Sequence, residues 1–298
     1  MRALVTGSHG FVGKFIAAEL VAHGHQPLMH DRLAHAEVQF DVTDAAAAMK
    51  AIAELKPDAC IHLAAIAHVP TCDKNPKTAY EINVGGTLNL LEAFRAHAPQ
   101  ARFLFVSTSL IYGNKPRATP LDENANCEPD HVYGITKLSA DLSTLLYHRR
   151  YGMPVMTVRP ANHIGPGQSP DFVVPAFAKQ LREIAAGKTE PRMSVGNLDS
   201  TREFTDVRDI VRAYRLLIER GIAGNAYNLS SGRFVTIRWI LDKLCEIAGV
   251  KPEITVNPKF FRPTDTQPQL DWSRISREIG WRPEISLEQS LADIIARS

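Results

Sequence analysis

Ala3-Leu4-Val5-Thr6-Gly7-Ser8-His9-Gly10-Phe11-Val12-Gly13 decides how the chain is read. The first four residues are a short apolar run of strand type. From Phe11 onward apolar residues recur at helical spacing through Leu20 and Val21. Between the two lies Gly7-x-x-Gly10-x-x-Gly13. Glycines there permit a tight turn and let backbone approach a pyrophosphate at the helix N-terminus. Strand, glycine-rich turn and helix in that order predict a dinucleotide cradle made by Gly7, His9, Gly10, Phe11, Val12 and Gly13.

Downstream stretches fit that cradle. A second strand is predicted over Gln26–His30 and ends in Asp31-Arg32. Asp31 lies 18 residues after Gly13, where an acid grips adenosine ribose hydroxyls and favours NAD(H). Arg32 beside it suits a 2′-phosphate and favours NADP(H), so the sequence leaves the choice open. Both as solvated loop charges is the plainer alternative. Phe40-Asp41-Val42 reads as the end of a third strand, with Asp41 and Val42 near the adenine. Cys60 to Ala65 reads as a buried strand whose end, Leu63-Ala64-Ala65, lets a cofactor lie close. Helices are expected at Ala45–Leu55 and from Thr78 to Ala96, and a fifth strand at Arg102–Val106. Strands alternating with helices predict an α/β fold with a doubly wound parallel (Rossmann) sheet.

Composition bounds the function. The chain has 298 residues, 45% hydrophobic and 22% charged, with 34 basic and 32 acidic side chains and a net charge of +2. That balance argues against nucleic acid or an anionic membrane as the main partner. The four cysteines show no C-x-x-C pairing and read as free thiols of a reducing compartment. The histidines show no metal-ligand spacing, and no apolar run reaches membrane-spanning length. A cytoplasmic enzyme without a metal is expected.

Two stretches carry chemistry. Ser107-Thr108-Ser109 follows the fifth strand, at the edge where such sheets bind ligands, and offers hydroxyls to a carbonyl oxygen. Ser107 fits best as a turn satisfying its own backbone. In Val132-Tyr133-Gly134-Ile135-Thr136-Lys137 a phenol and an amine sit four apart, one helical turn, on one face. A cation there favours the phenolate and eases proton transfer.

Taken together, G-x-x-G-x-x-G, the strand-end hydroxyls and Tyr133-x-x-x-Lys137 resemble the extended short-chain dehydrogenase/reductase family, specifically its nucleotide-sugar epimerases, dehydratases and reductases. The resemblance implies Thr108, Tyr133 and Lys137 as the catalytic set, with Lys137 also holding the nicotinamide ribose. It implies residues 1–165, with 204–232 returning, as the NAD(P)-binding domain, and 166–298 mainly as a smaller nucleotide-sugar domain. It assigns Thr108 and Ser109 to the sugar, and Asn162, Arg202 and Arg262 to the diphosphate of a nucleoside-diphosphate sugar. It also implies a homodimer through the helices after residues 78 and 131.

Within that family, dehydratases carry an acid pair, or Ser-Glu, directly after the catalytic threonine, and here those positions are Ser109 and Leu110. Leucine cannot transfer a proton, so dehydration is disfavoured. Asn162-His163-Ile164-Gly165-Pro166-Gly167-Gln168, and Ser194 to Leu198 leading into Arg202 to Val207, resemble the reductases of GDP-4-keto-6-deoxy-D-mannose. Reduction of a GDP-linked 4-keto sugar is therefore expected. A UDP-hexose 4-epimerase and a non-catalytic NAD(P) sensor remain as alternatives.

Overall fold

Strands β1 (Arg2–Thr6), β2 (Gln26–Asp31), β3 (Val38–Gln39), β4 (Ala59–His62), β5 (Arg102–Val106) and β6 (Val155–Pro160) join a returning strand, Ala226–Leu229, in one sheet. The order is returning strand, β6, β5, β4, β1, β2, β3, and every pairing is parallel. The structure is a computed structural model that describes residues 1–33, 36–114, 120–257 and 267–296. Because β1 has β2 on one side and β4 on the other, the connections diverge there and open a crevice at the carboxyl edge. All residues of β4 and β6 are buried, as expected for strands covered on both faces.

The glycine turn behaves as its spacing requires. Gly7 has φ +70°, and a Cβ there would stand 2.8 Å from backbone atoms of Ala64. A Cβ on Gly13 would meet the Ser8 carbonyl oxygen at 2.0 Å. Close contact of turn, strand end and helix thus excludes side chains at both positions. Helix α1 (Phe11–Ala22) buries Gly13, Ile16 and Leu20 against the sheet. Helix α2 (Ala45–Leu55) starts where the Asp44 carboxylate accepts from the N–H groups of Ala46 and Ala47, and it turns Ala48 and Ile52 inward.

Some boundaries differ from expectation. The third strand stops at Gln39, so Phe40–Val42 lies beyond it. The fourth stops at His62, so Leu63–Ala65 leaves the sheet at its edge. The helix expected from Thr78 to Ala96 contains a π-helical turn, Glu81–Gly86, between Pro76–Tyr80 and Thr87–His97. Asn83 occupies that wider turn. Its Oδ1 accepts from Ile66 N–H at 2.8 Å, and its Nδ2 donates to Ile66 O and to Thr136 Oγ1. These bonds, to residues 17 and 53 positions away, give the π-turn a tertiary cause.

Beyond β6 a second core forms around Phe177, Leu181, Leu241, Leu244 and Leu291. Its helices are Val173–Ala185, Ile237–Ala248 and Leu287–Ala296. Asp206 caps helix Val207–Arg220, accepting from Arg208 N–H. Asp209 instead accepts from Glu284 and Ile285 N–H. Trp281 is fully buried and donates Nε1–H to Asp209 O.

Candidate functional site

A cavity of about 1410 Å³ runs from the glycine turn along the strand ends to helix Val173–Ala185. That exceeds the ~300–1,000 Å³ of a one-ligand pocket and suits a dinucleotide with a second ligand. Gly7, Gly10, Phe11, Val12 and Gly13 line one end, with Asp31, Arg32, Asp41 and Val42 beyond them. His9 is exposed and does not line the cavity, and its backbone N–H instead donates to Asp31 Oδ2 at 3.3 Å. Asp41 accepts from Thr43 N–H and Oγ1–H, which hold its carboxyl below the usual range. Leu63, Ala64 and Ala65 form part of the wall.

Behind that wall the buried polar groups bond in one consistent direction. Ala64 N–H donates to Thr6 Oγ1, which lies 2.7 Å from His62 Nδ1. His62 Nε2 lies 3.0 Å from Thr87 Oγ1, whose proton goes to Asn83 O. Thr87 must therefore accept, which places the His62 proton on Nε2. Burial, with Lys137 nearby, holds His62 down to about 3, so it stays neutral. It is a core histidine that fixes the β4 end against the π-turn.

Thr108, Tyr133 and Lys137 also line the cavity. Thr108 ends the β5 connection and begins the 3-10 helix Ser109–Tyr112. Tyr133 opens helix Val132–Tyr151 and shares a side-chain hydrogen bond with Thr108. Burial raises the phenol to about 12, and the Thr108 bond opposes this only in part. Lys137 lies one turn on, with Nζ 4.3 Å from the Phe105 ring centroid. Burial holds its amine down to about 7, with Asp141 pulling the other way. The expected tuning of the phenol by the amine is thus not the leading influence on Tyr133, because burial dominates both groups.

Ser109 does not line the cavity. The chain leaves the strand and enters the 3-10 helix, which turns Ser109 inward, and Leu110 lines the cavity instead. Ser107, expected to satisfy its own turn, is 3% exposed, lines the cavity and has no hydrogen-bond partner for its Oγ among the described residues. Tyr214, on helix Val207–Arg220, shares these properties. Such unpartnered hydroxyls await a ligand or water.

Asn162 and Arg202 line the cavity on the side of the second core. Asn162 Nδ2 donates to Gln267 Oε1 at 2.8 Å, and Arg202 Nη1 donates to Thr201 O at 3.0 Å. Arg262 lies outside the described residues. Among the described residues no three His, Cys, Asp or Glu side chains cluster as metal ligands, and no helix is long and apolar enough to cross a membrane. The cysteines are free thiols.

Sequence reading gave Ser107 to its own turn and missed Tyr214, Gln267 and His131, all of which line the cavity. Only His131 carried a signal, standing two residues before Tyr133 where a helix cap belongs.

The chain matches the family model described as GDP-mannose 4,6 dehydratase over residues 4–294. It is 36% identical over 297 residues to a GDP-6-deoxy-D-mannose reductase of Pseudomonas aeruginosa, covering 99% of this chain and 96% of that protein. The structure of RMD from Pseudomonas aeruginosa complexed with NADPH superposes with a TM-score of 0.89 at 34% identity, covering 99% and 98%. The UDP-glucose 4-epimerase of Thermus thermophilus, in complex with NAD, does so with a TM-score of 0.88 at 28% identity, covering 100% and 98%.

Proposed function

Because the chain belongs to the GDP-mannose 4,6-dehydratase family, we propose that it is an NAD(P)H-dependent oxidoreductase that reduces the C4 keto group of a nucleotide-linked 4-keto-6-deoxyhexose. The substrate is GDP-4-keto-6-deoxy-D-mannose and the product GDP-D-rhamnose, in keeping with the reductase relative.

One observation carries the reaction type. The bonded hydroxyl pair Thr108 and Tyr133 faces a cavity in which the neighbouring lining residue is Leu110. The described acids on the lining are Asp31, Asp41 and Asp171, none of them in the Thr108–Leu110 segment or next to Tyr133. An acid and base pair for eliminating water is absent from that segment, whereas reduction needs only a proton donor.

The residues fit a dinucleotide. Backbone approaches to within side-chain exclusion at Gly7, and the Ser107 and Tyr214 hydroxyls stand ready for a ligand. When bound, the reduced nicotinamide supplies the hydride. Thr108 orients the carbonyl oxygen, and Tyr133 gives its phenolic proton to that oxygen as the alkoxide forms. A phenol raised to about 12 is protonated at neutral pH, the state reduction requires. Lys137 holds the nicotinamide ribose. Asn162, Arg202 and Arg262 bind the diphosphate, a guanidinium matching phosphate oxygens bidentately. Ser109 is left out of this site.

The protein acts in the cytoplasm as a homodimer. Support for the dimer comes from Ile135, Leu142 and Leu146, which are 41%, 50% and 44% exposed on helix Val132–Tyr151 at helical spacing. The reaction is tested by NAD(P)H oxidation with GDP-4-keto-6-deoxy-D-mannose beside UDP- and dTDP-linked ketosugars. No oxidation with the GDP sugar, together with redox-neutral interconversion of a UDP-hexose pair, replaces the reductase with a 4-epimerase. NAD(P)H binding without turnover of any ketosugar leaves a sensor.

A further inference from the structure

His131 caps the helix that carries Tyr133. Its Nδ1 accepts from Gly134 N–H at 2.8 Å. A ring nitrogen that accepts carries no proton, so the bond places the ring proton on Nε2. The other edge of the imidazole is therefore a committed donor.

Three further observations place that imidazole at the cavity. His131 lines the cavity together with Thr108, Leu110, Asn114 and Tyr133. Its ring lies nearly parallel to the Tyr133 ring, at 23° and 6.1 Å between centroids. Gly134 seats it, because a Cβ there would come within 2.9 Å of His131 Cε1 and of Pro129 Cβ. The imidazole is thus held by the helix N-terminus on one edge, by Tyr133 alongside, and by the absence of a side chain at position 134.

Capping alone does not call for histidine. Ser, Thr, Asn and Asp are the favoured caps, and their short side chains end at the backbone they bind. An imidazole caps with one nitrogen and still offers a second, about two bonds further along the ring. Beside the phenol that protonates the substrate, a fixed neutral N–H donor suits an uncharged polyol better than a phosphate, which an arginine would hold.

We infer that His131 is a further sugar-binding residue, donating its Nε2–H to a hexose oxygen beside the carbon that is reduced. This rests on the nucleotide-sugar reading above. Its consequence is that hexose orientation is set from the same helix turn that delivers the proton.

The test is His131→Asn, which keeps a favoured cap but removes the second nitrogen, with His131→Ala removing both. Full-length protein is titrated calorimetrically with GDP and with GDP-D-rhamnose. The wild type is expected to bind the sugar nucleotide more tightly than GDP. His131→Asn is expected to weaken GDP-D-rhamnose about tenfold, the loss of one hydrogen bond, while GDP, NADPH and Tm stay at wild-type values. The KM for the ketosugar rises in parallel. His131→Ala additionally lowers Tm. An intact sugar increment in His131→Asn overturns the inference and makes His131 a cap only. A wild type that does not distinguish GDP-D-rhamnose from GDP overturns the substrate reading itself, so the two failures are told apart by the wild-type titration.

Discussion

Lys137 Nζ lies 4.3 Å from the centroid of the Phe105 ring, and the lysine is 3% exposed. A cation over an aromatic face gains some electrostatic attraction, but here burial outweighs it and lowers the amine from its ordinary 10.5 to about 7. The folded value lies below the unfolded one. Below about 7 the folded protein carries the full cost of a buried ammonium, and between about 7 and 10.5 that cost fades as the unfolded chain holds the proton and the folded one does not. Lys137→Met should therefore melt higher than wild type near neutral pH without cofactor. The gap should close as pH rises toward the ordinary lysine range. Thermal melts across that window check it, and a gap that widens with pH would show that burial does not govern Lys137.

Tyr133→Phe keeps the ring and its packing but removes the proton. General acid catalysis is typically worth about 10²–10⁴-fold, so kcat should fall by at least that order while NAD(P)H still binds. Steady-state kinetics beside fluorescence titration of the cofactor separate the two. Near-normal kcat in the variant removes Tyr133 from the proton transfer.

The parts of this site that were readable from sequence are those fixed by local backbone rules. Gly7 takes the positive φ of a tight turn, Gly13 lies against the Ser8 carbonyl a few residues away, and Tyr133 and Lys137 share a face because helices repeat. What was not readable depends on where the chain turns after an element ends. Ser107 was read as satisfying its own turn and Ser109 as facing the sugar, yet the 3-10 turn at Ser109 places Ser107 and Leu110 on the cavity and Ser109 off it. The π-turn at Asn83 hid inside an ordinary helical pattern because its cause, bonds to Ile66 and Thr136, is tertiary. The electrostatics of Lys137 were misjudged because spacing reveals proximity but not desolvation.

Asn83→Ala is expected to be costly. It removes the acceptor of Ile66 N–H and the donors to Ile66 O and Thr136 Oγ1 at a side chain 1% exposed. Leaving buried partners unpaired costs about 1–3 kcal/mol each, so urea unfolding should show a loss of at least that size. A midpoint equal to wild type would mean that water replaces the amide and that the π-turn does not need it.

Asp31 and Arg32 both line the cavity near the glycine turn. Asp31 Oδ2 already accepts from His9 N–H, which fixes the carboxylate beside the glycine turn. The protein should therefore use NADH at least comparably to NADPH. Arg32→Ala should lower kcat/KM for NADPH about tenfold or more, the loss of one charged hydrogen bond, and leave NADH nearly unchanged. Measuring both cofactors in both proteins decides it. A strong NADPH preference that survives Arg32→Ala would show that neither residue acts this way.

Ile135, Leu142 and Leu146 leave three large aliphatic side chains on the surface of the helix that presents Tyr133. Their spacing of seven and then four residues keeps them on one face, and Tyr80, 43% exposed, belongs to the neighbouring helical run. A two-fold dimer needs one self-complementary patch, and pairing this face with itself supplies it. Leu142→Glu places a carboxylate at that patch in each subunit, so association would bury two like charges together. The variant should run as a monomer by light scattering, while Leu33→Glu, exposed elsewhere, should leave the oligomer unchanged. Because the helix also positions Tyr133, the monomer should lose part of its kcat. A wild-type protein that is monomeric at assay concentration, or a Leu142→Glu protein that remains a dimer, would remove this face from the assembly.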